Sequence, residues 1–336
     1  MPLRDAYLDF RFLPELRLRG GQFKVPFSVE ELTSDLFIDF VERSLVNELA
    51  PSYDAGAMVY GSLAQGALSY FLGGFNGSGQ NTPDNNADKD LAARLVFAPF
   101  KASDDFWLKG FQIAGNVTWG NQESFRTARG RTEARVPNRF EYFARQPARG
   151  DRTRFGGGLA WVVGPASLKF EYDEEIDHRD GLGPGGSDLD SVRAKGWYVS
   201  GTYLLTGEER GLNGPVVPRR PFNPIADGVG LGAWEVGVRF AELKFSSDDP
   251  VIFFDGNLSR IPGGGSTAEN GAKALTLGVN WYLNERVRAM LNWTNYWYDN
   301  ALGTPFSCPT TTYTAANLRS RDDTFWEILS RLQLWF

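Results

Sequence analysis

Apolar and polar residues alternate one for one over long stretches of this chain. In Glu327 to Phe336, Ile328, Leu332, Leu334 and Phe336 share one face of a strand, and Glu327, Arg331, Gln333 and Trp335 share the other, because successive strand side chains point to opposite faces. Arg286 to Tyr298 sets Val287, Ala289, Leu291, Trp293 and Trp297 against Arg288, Met290, Asn292, Thr294 and Tyr296. Lys273 to Leu283 alternates in the same way, and only Asn284-Glu285 lies between the two, the spacing of a tight hairpin. The same period predicts strands at 5–12, 16–24, 54–64, 67–76, 91–99, 108–119, 152–163, 166–175, 194–205 and 231–243, thirteen with the last three. The segment Asn138 to Arg145 alternates too, but a strand there would invert the directions of its neighbours, so it reads as loop.

The connections predicted between these strands are short (Pro14-Glu15, Gln65-Gly66, Gly164-Pro165, Asn284-Glu285) and long (25–53, 77–90, 120–151, 176–193, 244–270, 299–322) by turns. Gly207 to Gly230 breaks the rule, because it is long where a short turn belongs, and it is expected to fold under or into the structure. No apolar run reaches the roughly 18 residues of a spanning helix, whereas a spanning strand needs only about 9 to 11, half of them polar. The fold class expected is therefore all-β: one domain over 1–336, a transmembrane antiparallel β-barrel with a polar interior and a lipid-facing exterior. The terminal Phe336 resembles the last residue that outer-membrane barrels of Gram-negative bacteria present to their assembly machinery.

Composition narrows the function. Mean hydropathy is −0.32, as a half-polar barrel requires, and 14% of residues are aromatic, which suits interfacial girdles but also a soluble β-sandwich. The single cysteine, Cys308, permits no intrachain disulfide. With one histidine, His178, in a glycine-rich stretch, a His/Cys metal site and a Ser-His-Asp triad both lack their parts. No enzyme, metal, cofactor or nucleic-acid role is expected.

Strand direction is a further constraint. If the last strand runs down to the periplasm, counting back makes the first strand descend too, whereas single-chain bacterial barrels have even strand numbers and begin by ascending. Three further strands upstream, behind a signal peptide, would give sixteen.

The segment Gly21 to Leu45 (GQFKVPFSVEELTSDLFIDFVERSL), with Asp54-Ala55-Gly56, Phe75-Asn76-Gly77, Leu205-Thr206-Gly207-Glu208, Gly232-Ala233-Trp234-Glu235 and Gly278 to Asn284 in order, resembles the phosphate-selective porin O and P family. The resemblance implies a sixteen-stranded, trimeric outer-membrane porin with long loops folded into the channel, and a chain that starts near the fourth strand. Independently, Phe27 to Leu49 has the marks of an inward loop. Ser28-x-x-Glu31 reads as a capping box, and Leu36, Phe37, Phe40, Val41 and Leu45 fall at helical spacing beside Glu42 and Arg43, the constriction-loop candidates. An outward helix at a trimer contact is the alternative.

Assigning the polar face of each strand to the lumen gives eleven basic residues, Arg11, Arg17, Arg19, Lys24, Arg94, Arg154, Lys169, Arg239, Arg286, Arg288 and Arg331, against Asp9, Glu171, Asp173, Glu235 and Glu327. The wall is thus basic by about six in a chain of net charge −6. Such a lining attracts anions, and the guanidinium fork suits phosphate oxygens. The same arginines could instead pair with carboxylates or with lipopolysaccharide phosphates. Arg126, Arg129, Arg131, Arg135, Arg139, Arg145 and Arg149, in the 120–151 stretch, form either an anion funnel or a lipopolysaccharide contact. The expected function is a passive anion-preferring porin for phosphate or polyphosphate, against a general or carbohydrate-type porin or a soluble carbohydrate-binding sandwich.

Overall fold

The computed structural model describes residues 3–84, 86–134, 141–143, 145–225, 230–249, 269–299 and 324–335. Thirteen strands form one antiparallel sheet: β1 (Ala6–Leu13), β2 (Leu16–Lys24), β3 (Tyr53–Leu63), β4 (Leu68–Phe75), β5 (Asp90–Phe97), β6 (Phe111–Arg126), β9 (Pro147–Val163), β10 (Ala166–Arg179), β11 (Leu189–Leu204), β12 (Ala233–Ser246), β13 (Asn270–Asn284), β14 (Val287–Tyr298) and β15 (Thr324–Leu334). Each pairs with the next in chain order, with β1 and β15 at the ends. Two short strands, β7 (Gly130–Arg131) and β8 (Glu141–Phe143), pair with each other outside that sheet. Thus part of Asn138–Arg145 is extended, yet it does not join the wall. Phe336 and Cys308 lie outside the described residues.

The sheet is apolar outside and polar inside. Leu91, Leu95, Val117, Phe170, Val199, Val238, Leu277, Leu291 and Ile328 are exposed, while Arg94, Asn116, Lys169, Glu171, Arg239, Thr276, Asn280 and Arg288 are buried. This inverts the pattern of a soluble domain and matches a wall that faces hydrocarbon. At the short-turn end Trp234 and Trp281 stack with centroids 5.2 Å apart, and both indoles donate to Leu231 O (3.2 and 2.8 Å). An amphipathic ring with its N–H satisfied suits the membrane–water boundary.

Strand ends move most on the long-loop side. β6 runs on to Arg126, β9 begins at Pro147, β10 ends at Arg179 and β11 begins at Leu189. Arg152 and Glu175, at the ends of the predicted strands, face inward, as do Arg179 and Asp177 on the extension of β10, and Asp54 and Asp90. Two added cations against four added acids narrow the inferred basic excess by two.

The loop between β2 and β3 fills the interior. Gln333 Nε2, on β15, donates to Asp35 O (3.5 Å), and Arg4, ahead of β1, pairs with the Asp35 carboxylate (3.0 Å). The two ends of the strand order therefore meet at one loop residue, which requires the sheet to curl around the loop.

Candidate functional site

Ser28 caps the one-turn helix α1 (Val29–Leu32): its Oγ accepts from Glu31 N (3.0 Å), and its φ of 65° turns the chain inward. The reciprocal half of the capping box does not form. Glu31 instead pairs with Lys24 (3.2 Å) and accepts from Asn47 (3.0 Å) and Ser52 (2.9 Å). Wall residue Glu171 accepts from the first amides of the helix, Val29 N (2.6 Å) and Glu30 N (3.1 Å), which have no partner within the helix.

The helical spacing of Leu36 to Leu45 does not produce a helix. The segment is turns and bends, followed by a 3-10 turn at Leu45–Glu48. The physical reason lies in its carbonyls. Arg288 donates to Leu36 O (3.1 Å) and Ile38 O (3.0 Å), Asn280 to Asp39 O (2.8 Å), Arg239 to Glu42 O (3.1 Å) and Arg331 to Val41 O (3.5 Å). Wall side chains take the acceptors that i→i+4 bonding would use.

The predicted wall residues divide into three groups. The first is engaged by the loop or by wall acids. Arg239, 2% exposed, holds Glu30 (2.9 Å) and Glu133 (2.7 Å) and lies over Phe40 (4.6 Å). Lys169 holds Asp39 (2.8 Å), Arg154 holds Glu175 (2.9 Å), and Arg94 donates to Asn116. Arg288 and Arg331 bind the loop carbonyls. The constriction candidate Arg43 is buried inside the loop against Asp35 (2.6 Å) and Thr33 O (2.7 Å), and Glu42 contributes its carbonyl to Arg239.

The second group stays near open space. Arg19 pairs with Asp9 (3.1 Å) and lies 4.1 Å from the Tyr7 ring centre, and Arg17 sits 5.9 Å from that of Tyr60. Lys24 has the opposite strand parity to Arg17 and Arg19 and reaches Glu31. The third group is open to solvent, Arg11 on the face it shares with Asp9 and opposite Arg17, and Arg286 in a turn. Arg11 is largely exposed beside Asp9 (3.5 Å), and Arg286 is exposed in the β13–β14 turn beside Glu285 (3.5 Å).

Among the described residues, three cavities carry clusters of charged side chains, two of them beside the loop. One of about 500 Å³ on the long-loop side is lined by Arg126, Arg145, Arg152 and Arg154 with Glu48, Asp54, Asp90 and Glu175. A second of about 530 Å³, against β2 to β4, has Arg4, Arg19 and Lys24 with Asp5 and Asp35. The third, about 300 Å³ at the short-turn end, has Lys101, Lys109 and Arg210 with Glu209. Of the predicted loop arginines, Arg129 and Arg131 are drawn to Glu48 (3.2 and 2.6 Å). Burial pushes the Glu48 carboxyl up, but these two guanidiniums more than offset it and hold it below the usual range. Arg135 and Arg139 lie outside the described residues.

Residues 2–302 match the family described as phosphate-selective porin O and P. The chain belongs to that family. It is 27% identical over 312 residues to Porin O of Pseudomonas aeruginosa, a match covering 84% of this chain and 66% of that protein. It is 26% identical over 227 residues to an uncharacterized protein of Aquifex aeolicus, covering 60% of this chain and 49% of that one. The chain thus spans 66% and 49% of the length of these two relatives. Among solved structures, outer-membrane expressed OmpT of Vibrio cholerae superposes with a TM-score of 0.52 at 10% identity, over 96% of this chain and 78% of that one, a likeness of fold. Fold and family place this porin in the outer membrane of a Gram-negative bacterium.

Several site residues of the porin escaped the strand pattern. Part of the short-turn segment 207–225 folds inward: Arg210 is buried with its guanidinium between Asp39 and Glu235 (2.5 Å to the latter), so this segment and the constriction loop meet. Burial works to raise the Asp39 carboxyl, but Lys169 and Arg210 hold it at about 2. Glu133 arrives from the 127–146 connection, whose Tyr142 and Phe143 pack with Phe245 and Leu45 in an apolar cluster at the long-loop end. Arg152 had a readable signal, since it shares the parity of Arg154 one step along β9. Arg210 and Glu133 had none.

The loop of the porin rests on glycines. A Cβ at Gly237 or Gly278 would come within 3.2 and 3.1 Å of the Phe40 ring, and one at Gly158 within 2.8 Å of Val29. Gly278→Val is expected to expel Phe40 and loosen the loop from β12 and β13, at a cost of about 1–3 kcal/mol for overpacking. Single-channel conductance should rise; an unchanged conductance would mean that this loop does not bound the pore.

Proposed function

We propose that this porin forms a passive channel that prefers anions, with inorganic phosphate or polyphosphate as the solute. One observation carries the reading: basic side chains outnumber acidic ones in the cavity against β2 to β4 and in the one at the short-turn end and equal them in the long-loop cavity, while among the described residues only the small cavity at Phe40 is more acidic, with Glu30 and Asp39 against Lys169. In a narrow aqueous path with low-dielectric walls, such a lining favours anion entry. Arg126 and Arg145, both exposed at the long-loop cavity, are the side chains best placed for a first contact. In planar bilayers under a salt gradient, the reversal potential is expected to show chloride more permeant than potassium, with millimolar phosphate blocking the chloride current. A cation preference would overturn the reading.

A second reading has its own support. Lys169 and Arg239 are neutralised by loop carboxylates, and Arg288 and Arg331 are occupied by loop carbonyls, which favours a general porin with little anion specificity. Liposome swelling in neutral oligosaccharides distinguishes the two, being rapid only for the general porin. A homotrimer, contact with lipopolysaccharide and recognition by the barrel-assembly machinery through Phe336 complete the proposal, on the support of the family.

A further inference from the structure

The lipid-facing surface carries almost no charge across its middle. On β11 the outward residues run Trp197, Val199, Gly201, Tyr203, on β12 Trp234, Val236, Val238, Phe240, and on β13 Leu275, Leu277, Val279, Trp281. Immediately beyond this band, toward the long loops, the same outward face turns basic. Arg193 and Lys195 follow on β11, Lys244 on β12 and Lys273 on β13, all exposed. Lys195 and Lys244 are direct cross-strand partners, and so are Glu242 and Lys273.

Like charges directly opposite on a sheet destabilise it unless something neutralises them. Two acids stand among them on the outward face, Glu242 and Glu174. Glu242 pairs with Lys244 (3.1 Å), lies 3.9 Å from Lys273, and accepts from the Trp197 indole (3.0 Å). Glu174, opposite Lys195 on β10, accepts from Tyr172 (2.7 Å). Among the described residues, Arg193 and Lys195 have no hydrogen-bond or ion-pair partner.

We propose that this patch docks the phosphorylated headgroup of an outer-leaflet glycolipid. Its position selects the partner: it faces away from the lumen, above an apolar band and beside an interfacial tryptophan, at the height where headgroup phosphates lie. Its chemistry is complementary, with cations on three adjacent strands available to two or more phosphate groups. Lys195 and Lys244 would bracket one phosphate between them, which relieves their mutual repulsion. Trp197, fixed by Glu242 and packed on Phe240 (5.6 Å), would support the first acyl carbons below.

The test measures binding of lipopolysaccharide to the detergent-purified protein by native mass spectrometry and by titration. K195Q/K244Q is expected to weaken binding at least tenfold, and lipid stripped of its phosphates should bind wild type no better than intact lipid binds that variant. E242Q, which frees Lys244 and Lys273 from their acid, should tighten binding. R193Q/K273Q provides a second removal that leaves the opposed pair intact. Heat-modifiable gel mobility selects the variants that fold. Unchanged affinity in both double variants, or displacement of the lipid by millimolar inorganic phosphate, would overturn the proposal. Channel selectivity should be the same in all of them, so failure here is separable from failure of the porin reading.

Discussion

Arg239→Ala is expected to destabilise the folded protein by about 3–5 kcal/mol, the cost of leaving buried carboxylates without their cation. Arg239 is 2% exposed and is the shared partner of Glu30 in the constriction loop and Glu133 in the 127–146 connection. Its other contacts are the Glu42 carbonyl (3.1 Å) and the face of Phe40. No other described side chain ties both segments to the wall in this way, so the loss should release the two together. The folded band in heat-modifiability gels should melt at markedly lower temperature, and the constriction should widen. Arg239→Lys should recover little, because one ammonium cannot reach two carboxylates and a carbonyl as a planar fork does. A melting temperature equal to wild type would refute this account of how the loops are held.

The second large effect is a dependence on pH. Burial is the main force on the Glu133 carboxyl and pushes it up to about 7 from an ordinary 4.5; Arg239 opposes the rise, and Glu30 and Glu327 add to it. The groups facing it are Arg239 on β12, Thr276 on β13 (3.2 Å), Tyr296 on β14, which accepts from the Glu133 amide (3.0 Å), Glu327 on β15 and Glu30 on the loop. Its Oε1 is buried without a partner, a natural place for a proton. Because the folded value lies above the unfolded one, the protonated group favours the docked state. That contribution, on the order of 3 kcal/mol for such a shift, is complete below about pH 4.5 and is lost as the pH rises to about 7 and beyond. Hydrogen exchange over residues 127–134, corrected for intrinsic rates, should therefore quicken between these values. Glu133→Gln should flatten the dependence; an identical pH profile in that variant would exclude Glu133 as its source.

The wall was legible because lipid imposes period two. Every predicted strand is present, since Val287, Ala289 and Leu291 must face hydrocarbon while Arg288, Met290 and Asn292 must not. Strand ends such as Arg126 and Pro147 were misplaced because beyond the membrane both faces are wet and the apolar signal fades. The charge count needed changes, since Arg286 lies in a turn and Arg152 joins the inner face, and it could not supply the partners: Arg239 meets Glu30 at a sequence separation of 209, and Arg288 meets Ile38 O at 250. No local pattern encodes such partners. The error at Leu36 to Leu45 has the same origin, because helical spacing records which side chains are apolar and not who claims the carbonyls.

The loop's seat on Gly158, Gly237 and Gly278, gripped mostly through its main chain, has a consequence for how the protein can change. Backbone carbonyls are present whatever the side chains, so Arg288, Asn280 and Arg331 would hold a loop of different sequence nearly as well. The wall thus tolerates change at loop positions that offer it only a carbonyl, such as Leu36, Ile38 and Val41, but not at Glu30, Asp39 or Phe40, whose side chains it holds. A new solute preference would then require a few substitutions in one short segment, with the thirteen strands left as they are.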